Sequence, residues 1–280
     1  MNSLPRLPDT DVAQSQEDAS LRFSGEINYE NAHQLLDSVR ELVGNSHKSV
    51  TLDLSEVEMI DSSGLRALLQ SKRLADEAQV EFRLALVSHA VARIIAVSGF
   101  APMFGLAPVD VFLHRLDHPL PAPDTCWRIH ERECISDPYV ISVLRKVVLD
   151  ALEEVGASHD TMCDVQIAVG EALTNAYRHG SPVKGESRIG LKCSVCDKVI
   201  VIEIQDEGEP FDPDAVAAPD PSLMCDHGMG IYLMRHAMDV VEFACNCPGN
   251  RVSMLKWLDF QGPSLRSVDA ETSSLPSHSF

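Results

Sequence analysis

No apolar run in the sequence approaches the ~20 residues that a membrane-spanning helix needs. The first residues have neither a basic start nor an apolar core, so we expect no secretory signal. Both absences favour a cytoplasmic protein that has no membrane partner.

Basic residues are also scarce. Lys and Arg number 23 against 42 Asp and Glu, which gives a formal net charge of -19. Nucleic-acid phosphates and anionic lipid headgroups would repel such a chain rather than bind it. We therefore expect the partners to be proteins or small molecules, with no nucleic acid among them.

The cysteines lack the spacing of a small disulfide framework, although the chain contains 8 of them. We expect most of them to be reduced and buried. Cys193 and Cys196 form a CxxC pair, and Cys245 and Cys247 form a CxC pair. Four thiolates can bind zinc, but the second pair is poorly spaced and both pairs lie in strand-like sequence, which disfavours zinc there.

The pattern of the chain changes near its middle. Short β-rich segments alternate with segments of helical apolar spacing in the first part, which is typical of an α/β domain. The segment LDHPLPAPDT, with three prolines, then predicts a stiff linker. Beyond it, two helices and mostly antiparallel strands predict an α/β sandwich. The predicted divisions are a disordered arm (1–19), an α/β domain (20–115), the linker (116–125), a second α/β domain (126–258) and a disordered tail (259–280).

The segment GEALTNAYRHG carries the first candidate site. Glu171 and Asn175 are four residues apart, so they project from one face of a helix. A carboxylate beside an amide suits a metal–phosphate site, where the amide oxygen binds Mg²⁺ and the carboxylate takes a proton. By itself the pair is equally typical of a solvated polar stripe.

Two more segments carry candidate ligand-binding residues. Asp206 follows an apolar strand and can accept a hydrogen bond from an exocyclic amine such as that of adenine, and Gly208 lets a ligand approach the backbone. Gly228 and Gly230 precede a predicted helix whose free N–H groups favour phosphate. Taken singly, these residues are also typical of an ordinary turn and an ordinary helix start.

In order and context the three segments resemble one known site. From about residue 125 to 258 the chain resembles the GHKL (Bergerat-fold) ATPases, most closely the serine-kinase anti-sigma factors of bacterial partner-switching systems. The N-box is EALTNA, the first glycine box is DEGEPFDP and the second is GMGIYLMRHAMDVVEF. The wider superfamily has a second glycine two residues after Gly208; this chain has Pro210, as the anti-sigma branch often does.

The resemblance implies a Mg²⁺·ATP site and a role for each candidate residue. Asn175 would bind the Mg²⁺ and Glu171 would act as the general base. Asp206 would recognise the adenine. The glycines would let the backbone surround the nucleotide: Gly208, Gly228 and Gly230.

Residues 20–115 resemble a STAS domain, the fold of anti-sigma-factor antagonists, through GEIN, VTLDLSEVEMIDSSGLRALL and FRLALVSHAVARIIAVSGF. The resemblance implies that Ser62 is phosphorylated, with Ser63 as the alternative. A phosphate at this helix start would be tolerated by the helix dipole and could repel an acidic partner. The residues also suit a simpler role, since Asp61 or a serine can cap the helix.

The two resemblances leave two functions open. One is an ATP- and Mg²⁺-dependent serine kinase that phosphorylates a STAS serine, either its own or that of a separate STAS antagonist. The other is a nucleotide-dependent switch that sequesters a sigma factor or another regulator with little catalysis. A linker of about ten residues at ~3.1 Å each spans roughly 30 Å, so transfer within one chain, within a homodimer and to a separate partner all stay open. A PP2C-type phosphatase is the further partner that such a switch implies.

Overall fold

A computed structural model describes residues 10–14, 18–45, 47–106, 125–213, 215, 228–245 and 249–259. These residues form two α/β domains, each built on its own sheet, so the predicted fold class is confirmed. In these ranges no helix combines the length and the apolar character needed to cross a membrane.

The N-terminal domain alternates strands and helices. Its strands are β1 (Thr10–Gln14), β2 (Asp18–Ile27), β3 (Ser49–Ile60) and β4 (Glu81–Val87). Its helices are α1 (Ala32–Gly44), α2 (Ser62–Glu77) and α3 (His89–Val97), followed by a 3₁₀ turn at Ala101–Phe104. The sheet order is β1-β2-β3-β4, with β1 antiparallel to β2 and the other neighbours parallel.

The C-terminal domain places helices against an antiparallel sheet. Its strands are β5 (Arg128–Ile135), β6 (Arg188–Val195), β7 (Val199–Gln205), β8 (Val240–Cys245) and β9 (Asn250–Trp257). Its helices are α4 (Val140–Val155), α5 (His159–Arg178) and α6 (Met229–Ala237). The sheet order is β5-β6-β7-β9-β8, with every neighbouring pair antiparallel.

Helix α5 carries the first candidate site and is buried along most of its length. It packs on the sheet, on α4 and α6, and on α3 of the N-terminal domain. The hydroxyl of its N-cap, Ser158, accepts a hydrogen bond from the N–H of Thr161. Asp160 in the first turn and Arg178 in the last match the helix dipole. Buried apolar residues of both domains form one continuous core, so α5 lies between the two sheets.

The predicted disordered arm over 1–19 is wrong where the structure describes it. Strand β1 pairs with β2 from Thr10 opposite Phe23 to Gln14 opposite Ala19. An edge strand is held mainly by backbone hydrogen bonds to its neighbour and can form from a polar sequence. The sequence of β1 therefore lacks the apolar alternation from which a strand is predicted. Of the predicted linker and tail, only residues 125 and 259 are described; the remainder lies outside the described residues.

Candidate functional site

Glu171 and Ser62 meet at the seam between the two domains. Glu171 lies in the middle of α5 and is 2% exposed. Its Oε2 accepts a hydrogen bond from the Ser62 hydroxyl at 2.8 Å, and its Oε1 accepts one from the Ser62 backbone N–H at 2.6 Å. The serine and the carboxylate that the sequence singled out in separate domains are therefore in direct contact within one chain.

The helix start that presents Ser62 is built by Asp61 and Gly64. Oδ1 of Asp61, the N-cap of α2, accepts the N–H groups of Ser63 and Gly64, and its Oδ2 accepts the N–H of Tyr29. A Cβ on Gly64 would lie 2.6 Å from an Ile60 side-chain carbon, so only glycine allows α2 to start this close to β3. Within the described residues the Ser63 hydroxyl makes no hydrogen bond, and of the two serines only Ser62 contacts Glu171.

The two carboxyl groups at this helix start hold protons more tightly than usual. Burial, and then the negative charge of Asp61, raises the pKa of Glu171, while the hydrogen bonds from Ser62 and the Arg66 guanidinium oppose the shift. Burial likewise raises the pKa of Asp61 against the hydrogen bonds that it accepts. A carboxylate with a raised pKa is a better proton acceptor, which is the property that a general base needs.

Asn175 and Gly230 complete this part of the site. A Cβ on Gly230 would lie 2.6 Å from Glu171 Oε2 and 3.7 Å from Asn175 Nδ2, so glycine is required for the close approach of α6. Gly230 lies in the first turn of α6 rather than before it, and only Gly228, with φ of 93°, precedes the helix. The Asn175 amide makes no side-chain hydrogen bond within the described residues, so its oxygen is available to a metal ion.

Asp206 occupies the other end of the site, directly after β7. Its Oδ1 accepts three hydrogen bonds, from Gly208 N–H at 2.8 Å and from the side-chain and backbone nitrogens of Asn250 at 3.0 and 3.2 Å. A Cβ on Gly208 would lie 2.6 Å from the Cα of Gly180, so the two backbones are in contact. In the described part of the chain Oδ2 accepts no hydrogen bond. The carboxylate is thus fixed through Oδ1, while Oδ2 lies against Gly180, where a Cβ would be 2.4 Å from that oxygen.

Sequence reasoning missed Asn250 and Gly249. Asn250 begins β9 and orients Asp206 through its side-chain amide. Gly249 has φ of 84°, and a Cβ there would lie 2.0 Å from the Asp206 carbonyl oxygen. No local pattern relates these residues to Asp206, because they meet it across the sheet.

Two charged contacts join the domains on either side of Ser62. Arg93 of α3 donates to both oxygens of Asp164 of α5, at 2.6 and 2.8 Å. On the other side, Arg145 of α4 donates to the Glu26 carboxylate and to Met59 Sδ, the latter at 2.7 Å. The docking of Ser62 on Glu171 is therefore part of a wider interface.

Each of the two domains matches a known protein family. Residues 135–256 match the family described as histidine kinase-like ATPase domain, and residues 9–115 match the STAS domain family. The serine-protein kinase RsbW of Bacillus velezensis is 28% identical over 137 residues, covering 46% of this chain and 85% of that protein. RsbW of Staphylococcus epidermidis is 31% identical over 127 residues, covering 42% of this chain and 79% of that protein.

A solved structure, an anti-sigma factor antagonist from Mycobacterium paratuberculosis, is 27% identical and covers 39% of this chain and 92% of that one, with a TM-score of 0.34. The sequence matches, rather than this structural likeness, relate the two domains to their families. The chain belongs to the histidine-kinase-like ATPase family in its branch of RsbW-type anti-sigma serine kinases, here fused behind a STAS domain.

Proposed function

We propose that this protein is an ATP-dependent serine kinase that phosphorylates Ser62 of its own STAS domain, within a single chain. The observation that carries the proposal is the hydrogen bond of 2.8 Å between the Ser62 hydroxyl and Glu171 Oε2. A general base must lie within hydrogen-bond reach of the proton that it removes. The relatives named serine-protein kinase support a serine as the acceptor.

In this mechanism Glu171 takes the hydroxyl proton as Ser62 Oγ attacks the γ-phosphorus of ATP. The Oγ–P bond forms, the bond from phosphorus to the bridging oxygen breaks, and ADP leaves. Asn175 would hold Mg²⁺ through its amide oxygen, and the ion, when bound, offsets the negative charge of the phosphates. The second Ser62 contact, from its N–H to Oε1 at 2.6 Å, fixes the hydroxyl relative to the base.

Arg66 is a further candidate for this reaction. It lies one helical turn after Ser62 on α2, and its positive charge lowers the pKa of both Glu171 and Asp61. Its Nε is buried and has no hydrogen-bond partner among the described residues. A phosphoryl group on Ser62 would give this nitrogen an acceptor, which suits a role in stabilising the transferred phosphoryl.

We assign adenine recognition to Asp206. Its carboxylate is fixed through Oδ1, and Oδ2, which accepts no hydrogen bond from the described residues, is the acceptor that we assign to the exocyclic amine of adenine. Guanine carries a carbonyl oxygen at the corresponding position, and two acceptors would face each other there. The glycines shape the backbone around this site: Gly208 lies against Gly180, Gly230 lets α6 approach Glu171, and Gly228 begins α6 with a positive φ.

Phosphorylation would also change how the domains associate. A phosphoserine at position 62 adds up to two negative charges beside Glu171 and Asp61, both of which are buried. Repulsion then weakens the docked arrangement and exposes the ATPase surface that the STAS domain covers. A separate STAS antagonist, a sigma factor or a second copy of the chain would compete for that surface, and a phosphatase of the PP2C type would restore the docked state.

Labelled ATP with Mg²⁺ tests the proposal over a wide dilution series of the purified chain. We expect label on Ser62 at a rate per chain that does not change with dilution. Ser63→Ala should keep the label, whereas Ser62→Ala and Glu171→Gln should lose it. A labelling rate proportional to protein concentration, or label on another residue, contradicts transfer within the chain.

A further inference from the structure

A group of metal-ligating side chains lies at the domain seam, away from Ser62. His89 is the first residue of α3, while His159 and Cys163 lie one turn apart at the start of α5. One ligand atom from each residue lies within 4.8 Å of the others. Cys163 is buried and the two histidines are exposed, so the group opens to solvent on one side. The CxxC pair Cys193 and Cys196 belongs to no such group among the described residues.

The distances suit a shared ion. His89 Nδ1 lies 3.3 Å from Cys163 Sγ, and the rings of His89 and His159 have centroids 4.3 Å apart. In a tetrahedral zinc site, with Zn–N near 2.0–2.1 Å and Zn–S near 2.3 Å, nitrogen and sulfur ligands are about 3.5 Å apart. Binding of an ion between His89 Nδ1 and Cys163 Sγ therefore requires only a small movement of these two side chains. His159 lies close enough to the same pair to supply the third ligand.

Asp160 orients the His89 ring for this role. Its Oδ1 lies 2.7 Å from His89 Nε2, a distance that favours the tautomer in which the Nε2–H donates a hydrogen bond to the carboxylate. The Nδ1 lone pair then faces Cys163. A carboxylate behind a metal-ligating histidine fixes its tautomer and raises its basicity, and it is one of the usual acceptors of the second ring N–H of such histidines.

We propose that His89, His159 and Cys163 bind one divalent transition-metal ion of the zinc class, which links the STAS domain to the ATPase domain. Two imidazoles and a thiolate are ligands that Zn²⁺ prefers. The exposed side of the group leaves the fourth position to water. Because His89 is the only ligand from the STAS domain, the ion holds α3 against α5 and so favours the arrangement in which Ser62 contacts Glu171.

Titration of the metal-free full-length chain with Co²⁺ tests this site independently of any kinase activity. We expect one Co²⁺ per chain, with the visible bands of tetrahedral cobalt, a sulfur-to-cobalt charge-transfer band and displacement of both by Zn²⁺. Cys163→Ala should abolish the charge-transfer band, and His89→Gln should weaken binding at least as much as Asp160→Asn, which should cost about 10- to 100-fold in affinity.

The matched control is Cys126→Ala, which removes an exposed thiol outside the group and should leave the spectrum unchanged. Thermal unfolding of each metal-free variant shows whether it folds. If Cys163→Ala does not fold, His89→Gln still tests the site, because the His89 side chain is 43% exposed and its replacement should not prevent folding. A cobalt spectrum without the charge-transfer band overturns the proposal. So does a Co²⁺ affinity that is unchanged in folded His89→Gln.

Discussion

Replacing Arg93 with alanine should separate the docking of the two domains from the chemistry at Ser62. Arg93 donates two hydrogen bonds to Asp164, whose side chain is only 3% exposed. After Arg93→Ala, Asp164 keeps Lys256, whose Nζ lies 2.9 Å from Oδ2. On α5, Asp164 precedes Glu171 by roughly two helical turns, and Arg93 contacts neither Ser62 nor Glu171 in the hydrogen bonds of the described residues, so its loss acts on the association of the domains.

The size of the effect follows from these contacts. Hydrogen bonds to charged groups contribute about 1.5–3 kcal/mol each, and removing one partner of a buried pair costs about 3–5 kcal/mol. Lys256 still neutralises Asp164, which reduces the loss. We therefore expect Arg93→Ala to destabilise the docked arrangement by about 2–4 kcal/mol, which corresponds to a docking constant at least about 30-fold lower.

Denaturant unfolding of the full-length chain and the rate of Ser62 labelling measure this effect together. Arg83→Ala is the control, because Arg83 pairs with Glu81 on the same domain and both side chains are more than half exposed, at 61% and 56%. An exposed pair of this kind contributes about 0–1 kcal/mol. If Arg93→Ala changes unfolding and labelling no more than Arg83→Ala does, the interface does not hold Ser62 on Glu171.

Three substitutions test the site itself. Glu171→Gln should slow labelling of Ser62 by about 10²–10⁴-fold. Because folding raises the pKa of Glu171, the protonated side chain adds to the free energy of unfolding. This contribution is fully present below the pKa of Glu171 in the unfolded chain and is lost as the pH rises through its pKa in the folded chain. In denaturation curves recorded across pH, Glu171→Gln should remove this decrease in the free energy of unfolding. Asp206→Asn should weaken ATP binding by about 1–3 kcal/mol in calorimetry and narrow the preference for ATP over GTP. Gly230→Ala, with its Cβ 2.6 Å from Glu171 Oε2, should lower the free energy of unfolding by about 1–3 kcal/mol and weaken ATP binding; unchanged values would show that α6 can move away.

The fold class follows from local patterns. Alternating strand and helix periods predicted both α/β domains, and the helical spacing of Glu171 and Asn175 placed them on one face of α5. Asp206 directly follows β7, as its position after an apolar segment indicated. Strand β1 was not predicted, because an edge strand is held by backbone pairing rather than by apolar side chains.

Long-range contacts could not be predicted in the same way. The contact between Ser62 and Glu171 joins residues 109 positions apart, and that between Asn250 and Asp206 joins residues 44 positions apart. No periodic pattern in the sequence indicates either contact, because both depend on how the two sheets and their helices pack. The partial burial of Ser62 could not be predicted for the same reason, since Glu171 of the second domain lies against it.

Transfer within a single chain is tested most directly by mixing two inactive variants. Glu171→Gln keeps the acceptor Ser62 and lacks the base, while Ser62→Ala keeps the base and lacks the acceptor. With labelled ATP and Mg²⁺, we expect the equimolar mixture to incorporate no more label than either variant alone, while the unaltered chain is labelled on Ser62. Label on Ser62 of the Glu171→Gln chain in the mixture would contradict the account, because it would show that one chain phosphorylates another.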